Sequence, residues 1–132
     1  MILTEEQLIN ITLELLTAIH SGDLETYSRL CSPELTAYET DVAPYRIDGI
    51  DFHLDLMRSV TASNGFANLV RFDMLTPKVQ IYGDCAVVTY TRLMTYNRDG
   101  IPFWKAFNET RVFVVVEEAL KMVHFHRSDA PV

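Results

Sequence analysis

Glu109-Thr110-Arg111-Val112-Phe113-Val114-Val115-Val116, followed after Glu117-Glu118-Ala119 by Leu120-Lys121-Met122-Val123-His124-Phe125-His126-Arg127-Ser128, is the stretch on which the fold turns. Both runs are rich in β-branched and aromatic residues, so both read as strands, and the short break between them predicts a hairpin. Side chains alternate across a strand. Arg111 therefore shares a face with Phe113 and Val115, and Arg127 shares one with Val123 and Phe125. Each arginine ends an apolar row, where core is expected. A third case lies upstream: in Ala86, Val88, Tyr90, Arg92, Met94 and Tyr96, one strand face is apolar except for Arg92.

A guanidinium stays charged and is costly to bury without a partner. Taken singly, each arginine reads as salt-bridged or placed at the sheet rim. Taken together, the three read as a polar pocket lined by aromatics, and their sign calls for an anionic occupant. That occupant is either a ligand carboxylate or a carboxylate of the protein, such as Glu109.

The rest of the chain bounds the answer. A length of 132 residues reads as one domain, 1–132, large enough for a proper core. The apolar fraction of 48%, with seven Phe, six Tyr and one Trp, argues for a folded globule. The formal charge of −7 argues against nucleic acid and anionic membranes as partners. No apolar run approaches the roughly 20 residues of a membrane span, and no signal-peptide pattern opens the chain. Cys31 and Cys85 form no metal-spaced motif and read as reduced thiols of a cytoplasmic protein. No Gly-rich phosphate loop and no nucleophile constellation is present, so no cofactor is expected. His124 and His126 have the opposite parity to Arg127 and face away from it. With no cysteine or acid placed beside them, no metal site is assigned.

The N-terminal half reads as helix. Thr4 and Gln7 have the spacing of a capping box, Glu5 and Glu6 suit the first turn, and the helix runs to His20 with Gly22 past its end. Leu8, Ile11, Leu15, Ala18 and Ile19 form one apolar stripe. Ile9, Leu13 and Leu16 form a second, wider than a surface helix needs, which predicts burial by the sheet on one side and by another subunit on the other. Asp23 caps a short helix, Leu24 to Leu30. A short strand follows at Leu35 to Glu39, then a third helix from Ile50 to Thr61 with Phe52, Leu56 and Val60 near one face and His53 in its first turn. Strands are expected from Asn68 to Tyr82, interrupted at Thr76-Pro77, from Cys85 to Tyr96, from Ile101 to Val116, and from Leu120 to Ser128. Asn97-Arg98-Asp99-Gly100 is a hairpin signal. Helices first and then four antiparallel strands argue an α+β fold, with helices on one face of a curved antiparallel sheet.

Several stretches resemble one family. Gly22-Asp23-Leu24-Glu25-Thr26-Tyr27, Pro33-Glu34-Leu35-Thr36-Ala37-Tyr38-Glu39, Gly49-Ile50-Asp51-Phe52-His53, Glu109-Thr110-Arg111-Val112 and Val123-His124-Phe125-His126-Arg127-Ser128 are similar, in order and spacing, to the association (hub) domain of calcium/calmodulin-dependent protein kinase II. The resemblance implies a cone-shaped, nuclear-transport-factor-2-like fold, with a cavity between a long helix and a curved sheet. It also implies self-association into dimers stacked in a large ring. It further implies that the cavity binds small carboxylates through Arg92, Arg111 and Arg127, and it adds His53 to that set. Two positions depart from the family pattern: Leu54, where arginine is common, and the Val115–Ala119 turn, where the family carries a basic, glycine-containing turn. These residues include no kinase domain, so a hub cut from a kinase and a stand-alone homologue both stay open. An isomerase, a dehydratase or a carrier of the same fold is the alternative, with His53 as base and Tyr90 or Tyr96 as hydrogen-bond donor.

Overall fold

Thr4 closes the capping box expected from its spacing. Its hydroxyl accepts from the Gln7 backbone N–H at 3.2 Å, and the Gln7 side chain accepts from the Thr4 N–H at 2.9 Å. The helix that follows is α1 (Glu5–Ser21), ended by Gly22 in the left-handed conformation. Asp23 caps α2 (Leu24–Leu30), and the chain passes directly into β1 (Cys31–Glu39). Then come β2 (Ile47–Asp48), α3 (Asp51–Ala62), β3 (Leu69–Tyr82), β4 (Cys85–Arg98), β5 (Ile101–Val116) and β6 (Ala119–Ala130). The structure is a computed structural model and describes residues 1–132.

One six-stranded sheet runs in the order β2-β1-β6-β5-β4-β3. The helices lie on one face of it, over a core that includes Leu8, Leu15, Leu16, Leu35, Phe113 and Met122. This is the α+β arrangement expected from the element order. One pairing differs: β1 runs parallel to β6, so the sheet is not wholly antiparallel. The short turns of the C-terminal half specify only antiparallel neighbours. The parallel pair joins the first strand to the last, and no local signal encodes it. β1 also starts earlier than expected, and its pairing shifts between Cys31 and Thr36, around Pro33.

Three local expectations are corrected. Leu16, assigned to a row facing another subunit, is fully buried within this chain, and Leu13 alone of that row is exposed. Of that second row only Leu16 is thus covered by its own domain, and Ile9 is half-buried. In α3 the buried residues are His53 and Met57, while Phe52 is exposed, so the inward stripe is one residue on from the expected one. In β6 the register shifts between Val112 and Phe113, which pair with His124 and Met122 and leave Val123 as the extra residue of a bulge. Met122, not Val123, therefore enters the core, whereas Phe125 and Arg127 keep the predicted face.

β3 is an edge strand with a register shift between Leu75 and Lys78, the kind of irregularity to which Pro77 is confined within a sheet, and Thr76 there has φ +47°. The hairpin signal at Asn97–Gly100 is met by a tight turn in which Arg98 pairs with Ile101, and Asp99 and Gly100 have φ +52° and +83°. The β5–β6 turn has the same form, with φ +50° and +63°, but its central residues are Glu117 and Glu118. No helix is long and apolar enough to cross a membrane.

Candidate functional site

Strand register assembles the charges. Glu39 on β1 lies opposite Arg127 on β6, Arg127 lies opposite Glu109 on β5, and Glu109 lies opposite Tyr90 on β4. One step along the same face, Phe125, Arg111 and Val88 form the next row, and on the other side Phe107 lies opposite Arg92. Opposite charges directly across a sheet attract. The sheet therefore presents acids and arginines in alternation to the helices, and α3 adds His53 from above.

Glu109 is the inner anchor. Its carboxylate accepts from Arg92 Nη2 at 2.7 Å, from Arg111 Nη2 at 3.3 Å and from the Tyr90 hydroxyl at 2.5 Å. Arg111 Nε donates in turn to the Tyr90 hydroxyl at 2.7 Å. Arg92, Glu109 and Arg111 are all buried. Burial works to raise the Glu109 carboxyl, but the Arg111 and Arg92 charges and the Tyr90 hydrogen bond outweigh it and hold the group below its ordinary range. Burial pushes the Tyr90 hydroxyl well above its ordinary value, so it remains a donor.

Glu39 is the second anchor. Its Oε2 takes Arg127 Nη2 at 2.7 Å and its Oε1 takes His53 Nε2 at 2.5 Å. Burial again favours the neutral acid and is again outweighed, here by the His53 hydrogen bond and the Arg127 charge. The same Arg127 Nη2 also meets both oxygens of Asp41, at 3.0 Å each. The guanidinium groups stack on aromatic rings as well: Arg111 over Phe125 at 4.9 Å and Arg127 over Phe107 at 4.7 Å.

The three arginines and His53 singled out from sequence thus come together, but not as a field of unpaired cations. The protein-carboxylate alternative holds: Glu109 pairs with Arg92 and Arg111, and Glu39 and Asp41 pair with Arg127. Sequence reasoning missed Glu39 and Asp41. The signal for Glu39 was present, since Leu35, Ala37 and Glu39 alternate on one strand face and the acid ends that apolar row. His20 was also missed. It accepts from Arg92 Nη1 at 3.3 Å and stacks on Phe72 at a centroid distance of 4.8 Å. Its pKa falls to about 4, first through burial and then through the Arg92 charge, so the ring is neutral.

Two recesses open onto this cluster. The inner one is about 50 Å³ and touches His53, Glu39 and Arg111. The outer one is about 290 Å³, and its wall includes Arg92, Arg127, Lys105, Phe66, Phe107 and Tyr96, with Asp41 at its edge. Buried Nε atoms of Arg92 and Arg127 and buried Nδ1 atoms of His20 and His53 have no hydrogen-bond partner within the chain. The inner recess holds little more than a water, whereas the outer one has room for a small organic anion. His124 and His126 lie elsewhere, about Tyr38, with His124 Nδ1 at 2.8 Å from the Thr36 hydroxyl. No group of three or more His, Cys, Asp or Glu side chains is placed to hold a metal.

Comparison with known proteins gives a consistent answer. Residues 4–131 match the family described as calcium/calmodulin dependent protein kinase II association domain. The calcium/calmodulin-dependent protein kinase type II alpha chain of Drosophila melanogaster is 34% identical over 125 residues, covering 93% of this chain and 23% of that protein. The chain thus spans about a quarter of the length of such relatives. Among solved structures, the hub homology domain of the kinase from Chlamydomonas reinhardtii superposes with a TM-score of 0.82 at 32% identity, covering 94% of this chain and 96% of that one. A nuclear-transport-factor-2-like protein from Cytophaga hutchinsonii, at 14% identity and a TM-score of 0.77 over 98% of this chain and 100% of that one, shares the fold alone.

Proposed function

The chain belongs to the calcium/calmodulin-dependent protein kinase II association domain family and is an oligomerisation domain of hub type, and from that premise we propose that its copies pair and stack into a ring and that the outer recess holds a small carboxylate. All 132 residues act as one hub-type unit in this reading. The free thiols of Cys31 and Cys85 support a cytoplasmic location.

The observation that carries the assembly is the sheet face opposite the helices. Alternation sends Cys85, Val87, Thr91 and Leu93 of β4 to that side, beside Val114, Val112, Asn108 and Ala106 of β5. Trp104 and Tyr82 add large exposed rings, at 48% and 65% exposure. A broad, partly apolar face of this kind marks an interaction surface. The carboxylate reading is supported by Arg92, Arg127 and Lys105, which line a recess walled by Phe66, Phe107 and Tyr96. A carboxylate there gains charge-assisted hydrogen bonds that a neutral amide of the same shape lacks.

Light scattering across micromolar concentrations tests the assembly. A mass that is a multiple of 15.1 kDa is expected, and a mass of 15.1 kDa throughout refutes it. A thermal-shift comparison of carboxylates with their amides tests the recess: the carboxylates raise the melting temperature and the amides do not. Equal shifts from both refute the anion site.

A further inference from the structure

The outer recess carries its own competitor. Three guanidinium groups face three carboxylates here: Arg92 and Arg111 with Glu109, and Arg127 with Glu39 and Asp41. Before His53 and the Lys105 of the outer wall are counted, the arginine and carboxylate charges balance. A ligand carboxylate that reaches one of these arginines therefore meets an acid already seated on it. Glu39 and Glu109 cannot leave easily. Both sit within strands, both are buried, and each holds a second partner, His53 or Tyr90.

Asp41 differs in every one of these respects. It lies in the β1–β2 loop, its side chain is 33% exposed, and its only charge partner is Arg127. The loop around it is held lightly: the Val42 and Ala43 N–H groups share the Glu39 carbonyl, and Thr40 N–H reaches the Arg127 carbonyl at 3.4 Å. Asp41 forms part of the wall of the recess beside Arg92 and Lys105. Both of its oxygens sit 3.0 Å from Nη2 of Arg127, a guanidinium on the wall of the recess that an entering anion would meet.

We propose that Asp41 is a tethered stand-in for the ligand: it occupies Arg127 in the empty domain, and a small carboxylate binds by displacing it and releasing the β1–β2 loop. This rests on the carboxylate reading of the recess. It makes Asp41 the residue that sets the affinity threshold, since any ligand must outcompete an anion already attached to the chain. A site whose competent form is open one-tenth of the time binds about tenfold more weakly than the same site left open. Removing the Asp41 charge lifts that penalty while leaving Arg92, Arg127 and the aromatic walls in place.

The test is calorimetric titration with sodium benzoate, and with benzamide as the neutral counterpart, of the parent, Asp41→Asn, Asp41→Ala and Arg127→Gln. The two Asp41 variants are expected to bind benzoate about tenfold more tightly than the parent, Arg127→Gln is expected to lose binding, and benzamide is expected to bind none of them. In the parent, benzoate should speed hydrogen exchange at the Val42 and Ala43 amides. Benzoate binding that is equal or weaker in both Asp41 variants overturns the displacement and leaves the recess as a carboxylate site. Binding by the Asp41 variants but not by the parent supports it in its strongest form. Absence of binding to every variant up to about 10 mM, a strength near the weakest millimolar affinities, overturns the displacement and the carboxylate site together.

Discussion

Glu109→Gln is the substitution that most directly tests the buried cluster. The exchange is nearly isosteric, so its effect is electrostatic. Glu109 is 3% exposed, and Arg92 and Arg111, its partners at 2.7 and 3.3 Å, are 2% and 1% exposed. The amide supplies one acceptor where the carboxylate supplied two, and turns a donor toward a guanidinium or the Tyr90 hydroxyl. Two buried cations are then left without a full counter-charge. Breaking a buried pair in this way costs about 3–5 kcal/mol. For a chain of this length that is a fall of roughly 11–18 °C in melting temperature. Urea unfolding followed by far-UV circular dichroism reads the loss directly. It must be run at one protomer concentration, because assembly itself adds stability by mass action. Glu14→Gln is the control: its pair with Arg29, at 2.7 Å, is exposed on both sides and contributes at most ~0.5 kcal/mol. The deficit should also depend on pH. The Glu109 carboxyl is held below its ordinary 4.5, so its contribution is complete above pH 4.5 and is lost as the pH falls through the lower folded value. The parent and Glu109→Gln should therefore converge in acid. A variant within about 1 kcal/mol of the parent at neutral pH would refute the reasoning, since it would mean that the arginines do not rely on Glu109 for their charge balance.

Three other expectations concern turns and titration. Gly100→Val should lower stability by about 1–2 kcal/mol through its φ of +83° alone, because a Cβ there meets nothing within 4 Å; an unchanged urea midpoint would count against the turn geometry. The β5–β6 turn holds Glu117 and Glu118 at positive φ, so the double change Glu117→Asn and Glu118→Gly should raise stability by about 1–2 kcal/mol, and a lower midpoint would show that the acids are held by something other than strain. His20 has its pKa lowered from 6.5 to about 4, so between those values the unfolded chain takes up a proton that the folded chain refuses, and stability falls as the pH drops through that window. The loss should reach ~2 kcal/mol after discounting for the partly exposed ring, and His20→Gln, which does not titrate, should flatten the slope; an identical slope in both proteins would place its origin elsewhere.

Much of the architecture was legible in the chain because its determinants are local. The Thr4–Gln7 capping box, the stop at Gly22 and the Asn97–Gly100 turn each depend on residues within three or four positions of one another. Strand alternation is equally local. It was enough to place Arg92, Arg111 and Arg127 inward, and Glu109 with them by the same parity. Parity fails where a bulge intervenes, as at Val123, because an extra residue reverses the faces without a compositional mark. His53 faces inward for a reason that apolar periodicity cannot read: the buried stripe of α3 includes a polar residue whose Nε2 is held by Glu39. The charge balance of the site belongs to the tertiary structure. Asp41 and Arg127 are 86 positions apart, and only the parallel pairing of β1 with β6 brings them together. Whether a row of arginines awaits an anion or already holds one depends on such long-range contacts. Electrostatic compensation acts through distance in space, and a sequence records distance only along the chain.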